Sequence, residues 1–383
     1  MGRLALALIL MAAVLPASAA PAQHSDAPVD IRVGISPQPV MADGKRHLLY
    51  ELQVTNYGRG AGELTHLTVA DDNNRPLADF DDAAIEKLAA PVGAADNPNR
   101  VRVLQTGRGL ELFMDVALDP AAAVPHRLHH RFSVDAHWRD GSVSHEAVGD
   151  IVVPVSGSPP PVLHAPLAGA GWVAANALSA PGHRRAVAVV DGKARIAQRF
   201  AIDWVRLGPD GRAFHGDPTI NADYYGYGAD VLAVADGRVV EIKDSLPENA
   251  GSKPQRAGPV TLDTIAGNYL ILDIGGGRFG VYAHLQPRGF AVKADDRVRA
   301  GQVLAKLGNS GNADAPHLHF HLADAPSNLG AEGIPYELTA FSQVGVVDDL
   351  ETLLSGQAWT APKRPAAPQR KAFPLNNAVL VLP

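Results

Sequence analysis

Apolar and polar residues alternate in short runs along most of this chain, with turn residues between the runs. From Val29 to about Val155 the runs recur at a spacing of roughly ten residues, and only Asp81 to Ala90 shows a helical pattern. Alternation with a period of two is typical of half-buried strands, and strands at this spacing are typical of an antiparallel sandwich. The sequence therefore predicts a mainly β fold that begins with an immunoglobulin-like sandwich.

A second β-rich domain is predicted after a Pro-rich connector. The segment Ser156 to Leu163 contains three consecutive prolines, and segments of this kind are extended, stiff linkers. Beyond it, the stretch ADVLAVADGRVVEI has apolar runs on both sides of Asp236-Gly237, a dipeptide typical of tight hairpin turns. A second hairpin is predicted at Gly275 to Gly277, because no GK[ST] follows these glycines to make a phosphate loop.

These patterns divide the chain into five predicted segments. They are a signal peptide at 1–20, the sandwich at 28–156, a linker at 157–164, the second β-rich domain at 165–345 and a Pro-rich tail at 346–383. The tail begins with a weak helical pattern, DDLETLLS, and its many prolines predict loose order afterwards.

The first twenty residues have the pattern of a secretory signal peptide. Arg3 precedes an apolar run from Leu4 to Leu15, and small residues follow at Ala17 to Ala20. The run is shorter than the roughly 20 apolar residues that a membrane helix needs. We expect cleavage after Ala19 or Ala20 and export to the periplasm or the extracellular space, with an uncleaved anchor as the alternative and no other membrane span.

Charge and cysteine content narrow the possible functions. The chain has 40 acidic and 34 basic residues, a net charge of -6 and a pI of about 6.2, so it offers no basic stripe for nucleic acid. It contains no cysteine, which excludes thiolate ligands for a metal. A metal site in this chain must therefore be built from His, Asp or Glu.

Three histidines alternate with apolar residues in the stretch HLHFHL. In a strand, His317, His319 and His321 project from one face while the residues between them pack on the other. A zinc hydrolase needs three N or O ligands, an open position for water and a group that handles protons. Two further candidates lie in strand-like stretches, Asp203 in QRFAIDW and His284 in FGVYAHL.

Three ordered stretches carry a resemblance to a known family. They are NADYYGYGADVLAVADGRVV, GNYLILDIGGGRFGVYAHLQP and VKADDRVRAGQVLAKLGNSGNADAPHLHFHL. Together they resemble the core of the lysostaphin-type (LytM-like) zinc metallopeptidases, over roughly Pro166 to Gly345. The resemblance implies a LytM-like domain of antiparallel hairpins, a Zn²⁺ cofactor and hydrolysis of peptide bonds in peptidoglycan cross-bridges. Peptidoglycan or cell-wall peptides are then the expected partners.

The resemblance also implies roles for individual residues. His319 and Asp203 correspond to zinc ligands, and His317 and His284 correspond to catalytic histidines. The family's HxxxD motif is broken, because Arg199 stands where its histidine should be, and a guanidinium has no lone pair to offer a metal. We expect His183, in SAPGHRRAV, to replace the lost ligand, with His215 in FHGDP as the other candidate.

Other interpretations remain open at this stage. The metal site could be lost, with Arg199 paired to Asp203 in a non-catalytic module that binds cell wall or regulates a partner hydrolase. The hairpin VKADDRVRAGQVLAKLG also resembles lipoyl or biotinyl carriers, but it lacks the carrier's modified-lysine turn. In a third interpretation the sandwich alone binds the ligand.

Overall fold

The computed structural model describes residues 26–178, 180–363 and 365–383, so the predicted signal peptide lies outside the described residues. These residues form a mainly β, mostly antiparallel structure, as predicted. No helix among them has the length and apolar character needed to cross a bilayer. The helices are α1 Asp82–Leu88, α2 Pro181–Arg184, α3 Leu350–Leu354 and a 3-10 turn at Asn221–Asp223.

The strands, in chain order, are β1 Val29–Val33, β2 Val40–Ala42, β3 Lys45–Asn56, β4 Gly62–Ala70, β5 Pro76–Asp81, β6 Ala89–Pro91, β7 Val103–Leu104, β8 Gly109–Leu118, β9 Arg127–His137, β10 Val143–Pro154, β11 Val162–Leu163, β12 Gly169–Ala175, β13 Ala188–Val190, β14 Lys193–Arg195, β15 Ile202–Arg206, β16 Asp230–Leu232, β17 Gly237–Lys243, β18 Asn268–Asp273, β19 Phe279–Leu285, β20 Arg297–Val298, β21 Val303–Lys306, β22 Leu318–Ala323, β23 Glu337–Val346, β24 Ala367–Ala372 and β25 Ala378–Leu382.

Two five-stranded antiparallel sheets form the N-terminal sandwich. One has the order β1-β3-β8-β6 with β2 beside β3, and the other has the order β10-β9-β4-β5 with β7 beside β4. Alternate residues of β3, such as Leu48, Tyr50 and Leu52, lie in the core between the sheets. The residues between them, Leu49 and Glu51, are also buried, so the outer face of β3 is covered by another part of the chain. Immunoglobulin-like topology stays a prediction.

An eleven-stranded sheet forms the centre of the C-terminal part. Its order is β11-β23-β25-β12-β15-β22-β19-β18-β17-β20, with β24 beside β23, and β11 pairs with β23 in parallel. One face of its central strands packs into a large apolar core that contains Ile202, Trp204, Tyr282 and Phe320. Because side chains alternate along a strand, the residues between these face the opposite side, where the histidines lie.

The Pro-rich tail is more ordered than its composition predicts. β24 and β25 both belong to the central sheet, and β25 lies between β23 and β12. The buried side chains of Ala378, Leu380 and Leu382 join the main apolar core. The expectation of loose order is therefore wrong for β24, which is ordered by antiparallel pairing with β23 despite Pro368.

The outer face of the sandwich and the C-terminal part share a core. Val40, Ala42 and Leu49 from β2 and β3 belong to the same apolar cluster as the central sheet. Backbone contacts add to this, since the amide of Phe373 donates to the carbonyl of Met41 at 2.7 Å. The two parts therefore meet over a packed interface rather than through the linker alone.

Candidate metal centre

Two neighbouring strands bring Asp203 and His319 face to face. Asp203 on β15 is the register partner of His319 on β22, and their flanking residues pack into the apolar core. The Nδ1 atom of His319 lies 2.9 Å from Oδ1 of Asp203. Strand alternation thus separates a polar face, which carries the carboxylate and the imidazole, from an apolar face that anchors both strands.

His183 reaches the same carboxylate from the short helix α2. Pro181 begins this helix, which suits a first-turn position because proline has no amide hydrogen to leave unpaired. The Nε2 atom of His183 lies 3.1 Å from Oδ2 of Asp203. Its ring also meets the ring of His319 edge to face, with centroids 4.8 Å apart. The structure therefore brings together the three residues predicted as ligands.

The three residues form a set that suits a zinc ion. One potential ligand atom from each of His183, Asp203 and His319 lies within 4.8 Å of the others. Tetrahedral zinc with N and O ligands about 2.0–2.2 Å away requires donor atoms roughly 3.3 Å apart, which small side-chain shifts would reach. Two imidazoles and one carboxylate are an ordinary donor set for catalytic zinc with an open position.

Electrostatics favour the ligand forms of Asp203 and His319. Burial alone would raise the pKa of Asp203, but the charges and hydrogen bonds of His183 and His317 outweigh it and hold that pKa well below 3.8. Burial lowers the pKa of His319 below its usual 6.5, although Asp203 opposes the shift. At neutral pH the pair therefore consists of a carboxylate and a neutral imidazole, which are the forms that bind a metal.

His284 reaches the histidine face through a break in strand regularity. Strict alternation would place His284 on the apolar side with Tyr282. Instead, the β18–β19 register shifts between Asn268 and Leu270, and His284 has a left-handed backbone with φ 62°. A bulge of this kind re-aims a side chain, and the ring of His284 lies 4.7 Å from that of His317.

Backbone carbonyls set the orientation of both predicted catalytic histidines. Nδ1 of His284 lies 2.8 Å from the carbonyl oxygen of Ser310, and Nδ1 of His317 lies 2.8 Å from that of Ala315. Because a carbonyl can only accept, each Nδ1 carries the proton and donates it, which leaves Nε2 as the atom available to the cleft. Nε2 of His317 lies 3.5 Å from Oδ1 of Asp203.

Two further residues lie beside the cluster. His321 is fully buried, and its Nδ1 lies 3.0 Å from Nε2 of His319. Asn176 donates from Nδ2 to Oδ2 of Asp203 at 2.9 Å. The shared strand face of the HLHFHL stretch points to His321, whereas nothing in the local sequence of Asn176 does.

Arg199 lies in a different environment from the one considered for it. Its buried guanidinium donates to both carboxylate oxygens of Glu51, to Glu332 at 3.0 Å and to the carbonyl of Gly333 at 3.0 Å. The pair with Asp203 is therefore not formed. His215 does not join the cluster either, since its ring packs against Tyr225 with centroids 5.2 Å apart.

The cluster lies in an open cleft of about 330 Å³. Asp203, His284 and His319 are among the residues that line it. Leu350 and Leu354 of α3 form part of one wall, so the chain after residue 346 contributes to the cleft. The lining of the cleft is mixed, with polar and apolar side chains.

An antiparallel β domain with two imidazoles and a carboxylate in an open cleft has the ligand set of a zinc hydrolase. Residues 222–329 match the family model described as Peptidase family M23, which confirms the resemblance to lysostaphin-type peptidases. The match includes His284, His317 and His319, whereas His183 and Asp203 precede it. No curated protein sequence matches the chain.

Several solved structures are similar to parts of the chain. The catalytic domain of the antimicrobial peptidase lysostaphin from Staphylococcus simulans is 26% identical, with 33% of this chain and 86% of that chain covered and a TM-score of 0.21. A putative peptidase M23 from Pseudomonas aeruginosa is 14% identical, with 70% and 90% covered and a TM-score of 0.26. A zinc-containing peptidase from Vibrio cholerae is 18% identical, with 59% and 86% covered and a TM-score of 0.20.

Proposed function

We infer that this protein is an exported zinc endopeptidase that hydrolyses peptide bonds of peptidoglycan cross-bridges or related cell-wall peptides. The observation that carries this proposal is the convergence of His183, Asp203 and His319 in one open cleft. The M23 match supports the peptidase class, and the resemblance to lysostaphin-type enzymes supports the substrate. The signal-like pattern in residues 1–20 supports export.

In this proposal His183, Asp203 and His319 hold the zinc ion. His183 would bind through Nε2 and His319 through Nδ1, because these are the atoms that face Asp203. When bound, zinc supplies a Lewis acid and activates water near neutral pH. Asn176 keeps one carboxylate oxygen oriented by its hydrogen bond, which limits rotation of the Asp203 side chain.

His284 and His317 would handle the proton in the same cleft. Each is held by a backbone carbonyl at Nδ1, so each presents Nε2 to the cleft. Burial and the neighbouring imidazoles of His317 and His319 hold the pKa of His284 well below 6.5, so His284 is neutral and can accept a proton from water. Asp203 raises the pKa of His317 despite its burial, which suits donation of a proton to the leaving amine.

The test is zinc content combined with hydrolysis. Purified mature protein should contain one zinc per chain and should cleave cross-linked muropeptides, and His319→Ala should lose both properties. His215→Ala is the matched control, since His215 belongs to the same domain but packs against Tyr225 outside the cluster. Zinc-free wild-type protein that cleaves no muropeptide would overturn the proposal.

The replacement at Arg199 favours one alternative that the same experiment separates. A chain that has lost a family ligand could persist as a module that binds cell wall or regulates a partner hydrolase. That function predicts binding of insoluble peptidoglycan without release of new amino termini, and equal binding by the wild type and by His319→Ala.

A further inference from the structure

The helix that carries His183 is too short to hold its own position. α2 contains four residues, so it makes a single turn, and isolated turns of this length are unstable in water. The hydrogen bond from Arg185 N to Pro181 O, at 3.0 Å, closes an i to i+4 ring and completes that turn. Contacts with other parts of the chain must therefore fix where the His183 imidazole lies.

The residue after His183 is anchored in the N-terminal sandwich. The guanidinium of Arg184 donates to the backbone carbonyls of Tyr50, at 3.3 Å, and of Met114, which belong to β3 and β8. It also lies over the ring of Phe113, with its carbon 5.9 Å from the centroid. Arg184 is only 5% exposed, so its long side chain is buried against the sandwich and fixes α2 to it.

A second arginine of the same turn contacts the sandwich at its edge. Arg185 donates to the carbonyl of Lys87 at 2.6 Å and also lies over the ring of Phe113, 5.4 Å from the centroid. Lys87 belongs to α1 and Phe113 to β8. Two consecutive side chains thus dock α2 on the sandwich, while the preceding side chain, His183, points to Asp203.

Glu51 of the sandwich contacts both Arg184, which holds α2, and Arg199, which stands where the family has its histidine ligand. Its carboxylate accepts from Arg199 at 2.9 Å and lies 3.9 Å from Nε of Arg184. Both arginines are nearly fully buried, so the acidic group offsets charge that would otherwise be costly to bury. Arg199 therefore contributes to the interface that positions His183, the proposed replacement for the histidine lost at position 199.

We propose that the N-terminal sandwich is a structural part of the metal centre, because it holds α2 and thereby positions the zinc ligand His183. The proposal rests on the zinc site of the proposed function. It makes Arg184 a positioning residue: the guanidinium bonds to the sandwich and not to a ligand, yet it fixes the turn on which one ligand stands. The sandwich then acts in metal binding although it supplies no ligand.

The test compares the Zn²⁺ dissociation constants of full-length mature variants, measured by competition with a chromophoric chelator. Arg184→Gln should raise the dissociation constant about 10- to 100-fold, the range found when residues that orient ligands are removed. Arg102→Gln is the matched control, because Arg102 also bonds a sandwich carbonyl, Leu64 at 3.0 Å, but its bonds stay within the sandwich. The control should keep the wild-type dissociation constant.

The zinc affinity of a second variant and hydrogen exchange in α2 test the proposal independently of how Arg184→Gln folds. Should Arg184→Gln fail to fold, Arg185→Ala removes the second anchor from an exposed position and should weaken zinc binding in the same direction by a smaller factor. Hydrogen exchange at the Arg185 amide should be faster in either variant than in the wild type, with metal absent. A folded variant with unchanged zinc affinity and unchanged exchange overturns this proposal alone, whereas a wild type without zinc overturns the proposed function as well.

Discussion

His319 and His321 are joined on one face of β22, where Nε2 of His319 lies 3.0 Å from Nδ1 of His321. If Nδ1 of His319 offers its lone pair to zinc, Nε2 must carry the proton and donate it to His321. In the proposed zinc site His321 would therefore select the tautomer of His319, as the residues behind metal-bound histidines commonly do.

The first prediction follows from this tautomer. His321→Leu removes the acceptor and should raise the Zn²⁺ dissociation constant about 10- to 100-fold. His321→Gln offers a side-chain oxygen as an acceptor and should lose less affinity. Chelator competition measures both, and equal affinities in the His321→Leu and His321→Gln variants would contradict the role given to His321.

The second prediction concerns restoration of the family's histidine. His183→Ala should lose stoichiometric zinc, and adding Arg199→His should not restore it, because residue 199 lies between Glu51 and Glu332 rather than beside Asp203. Zinc content by elemental analysis checks this, with circular dichroism to establish that both proteins are folded. Recovery of one zinc per chain in the double variant would show that position 199 can still reach the metal.

Local sequence pattern predicted the parts of the site that depend only on strand alternation. Asp203 and His319 each lie between residues of the apolar core. The flanking Ile202, Trp204 and Phe320 therefore predict that both side chains project from the opposite face of the sheet. The mainly β class followed from the same alternation. The expectation that His183 lies near Asp203 rested on chemistry, since the broken motif required another imidazole.

The features of the site that the sequence could not predict depend on contacts between residues far apart in the chain. Alternation places His284 on the wrong face, and only the register shift opposite Asn268 and Leu270 explains its position. The pairing of Arg199 with Glu51 joins residues 148 positions apart. No local pattern reveals such a contact, because its energetics are decided by what else is buried at the interface.

The third prediction concerns the buried ion pair at that interface. Arg199→Met leaves the Glu51 carboxylate buried beside Glu332 without its main partner, and should lower the free energy of unfolding by about 3–5 kcal/mol. Arg238→Met is the control, because Arg238 pairs with Asp295 at an exposed position and should cost less than about 1 kcal/mol. Urea denaturation of the metal-free chains measures both, and equal losses would contradict the interpretation.

The fourth prediction concerns His130, which is buried in the sandwich. Its Nδ1 donates to the carbonyl of Ile151 at 3.0 Å, and its Nε2 accepts from the hydroxyl of Tyr50 at 2.6 Å, an arrangement that requires a neutral ring. Burial lowers the pKa of His130 to about 4, although the hydrogen bond to Ile151 opposes the shift. The unfolded chain therefore takes up a proton near pH 6.5, and the folded chain does so only near pH 4.

The direction of this pH dependence of stability follows from which state, folded or unfolded, binds the proton. As the pH falls from 7 to 5, the unfolded state gains a proton that the folded state does not, so this residue should lower the free energy of unfolding by about 2 kcal/mol. His130→Gln keeps a donor and an acceptor but does not titrate. Its free energy of unfolding should therefore fall by about 2 kcal/mol less than that of the wild type between pH 7 and pH 5. Burial raises the pKa of Glu111 to about 7, which acts in the opposite direction but is common to both proteins. Urea denaturation at pH 7 and pH 5 gives the difference, and an identical pH dependence in the two proteins would refute a buried neutral His130.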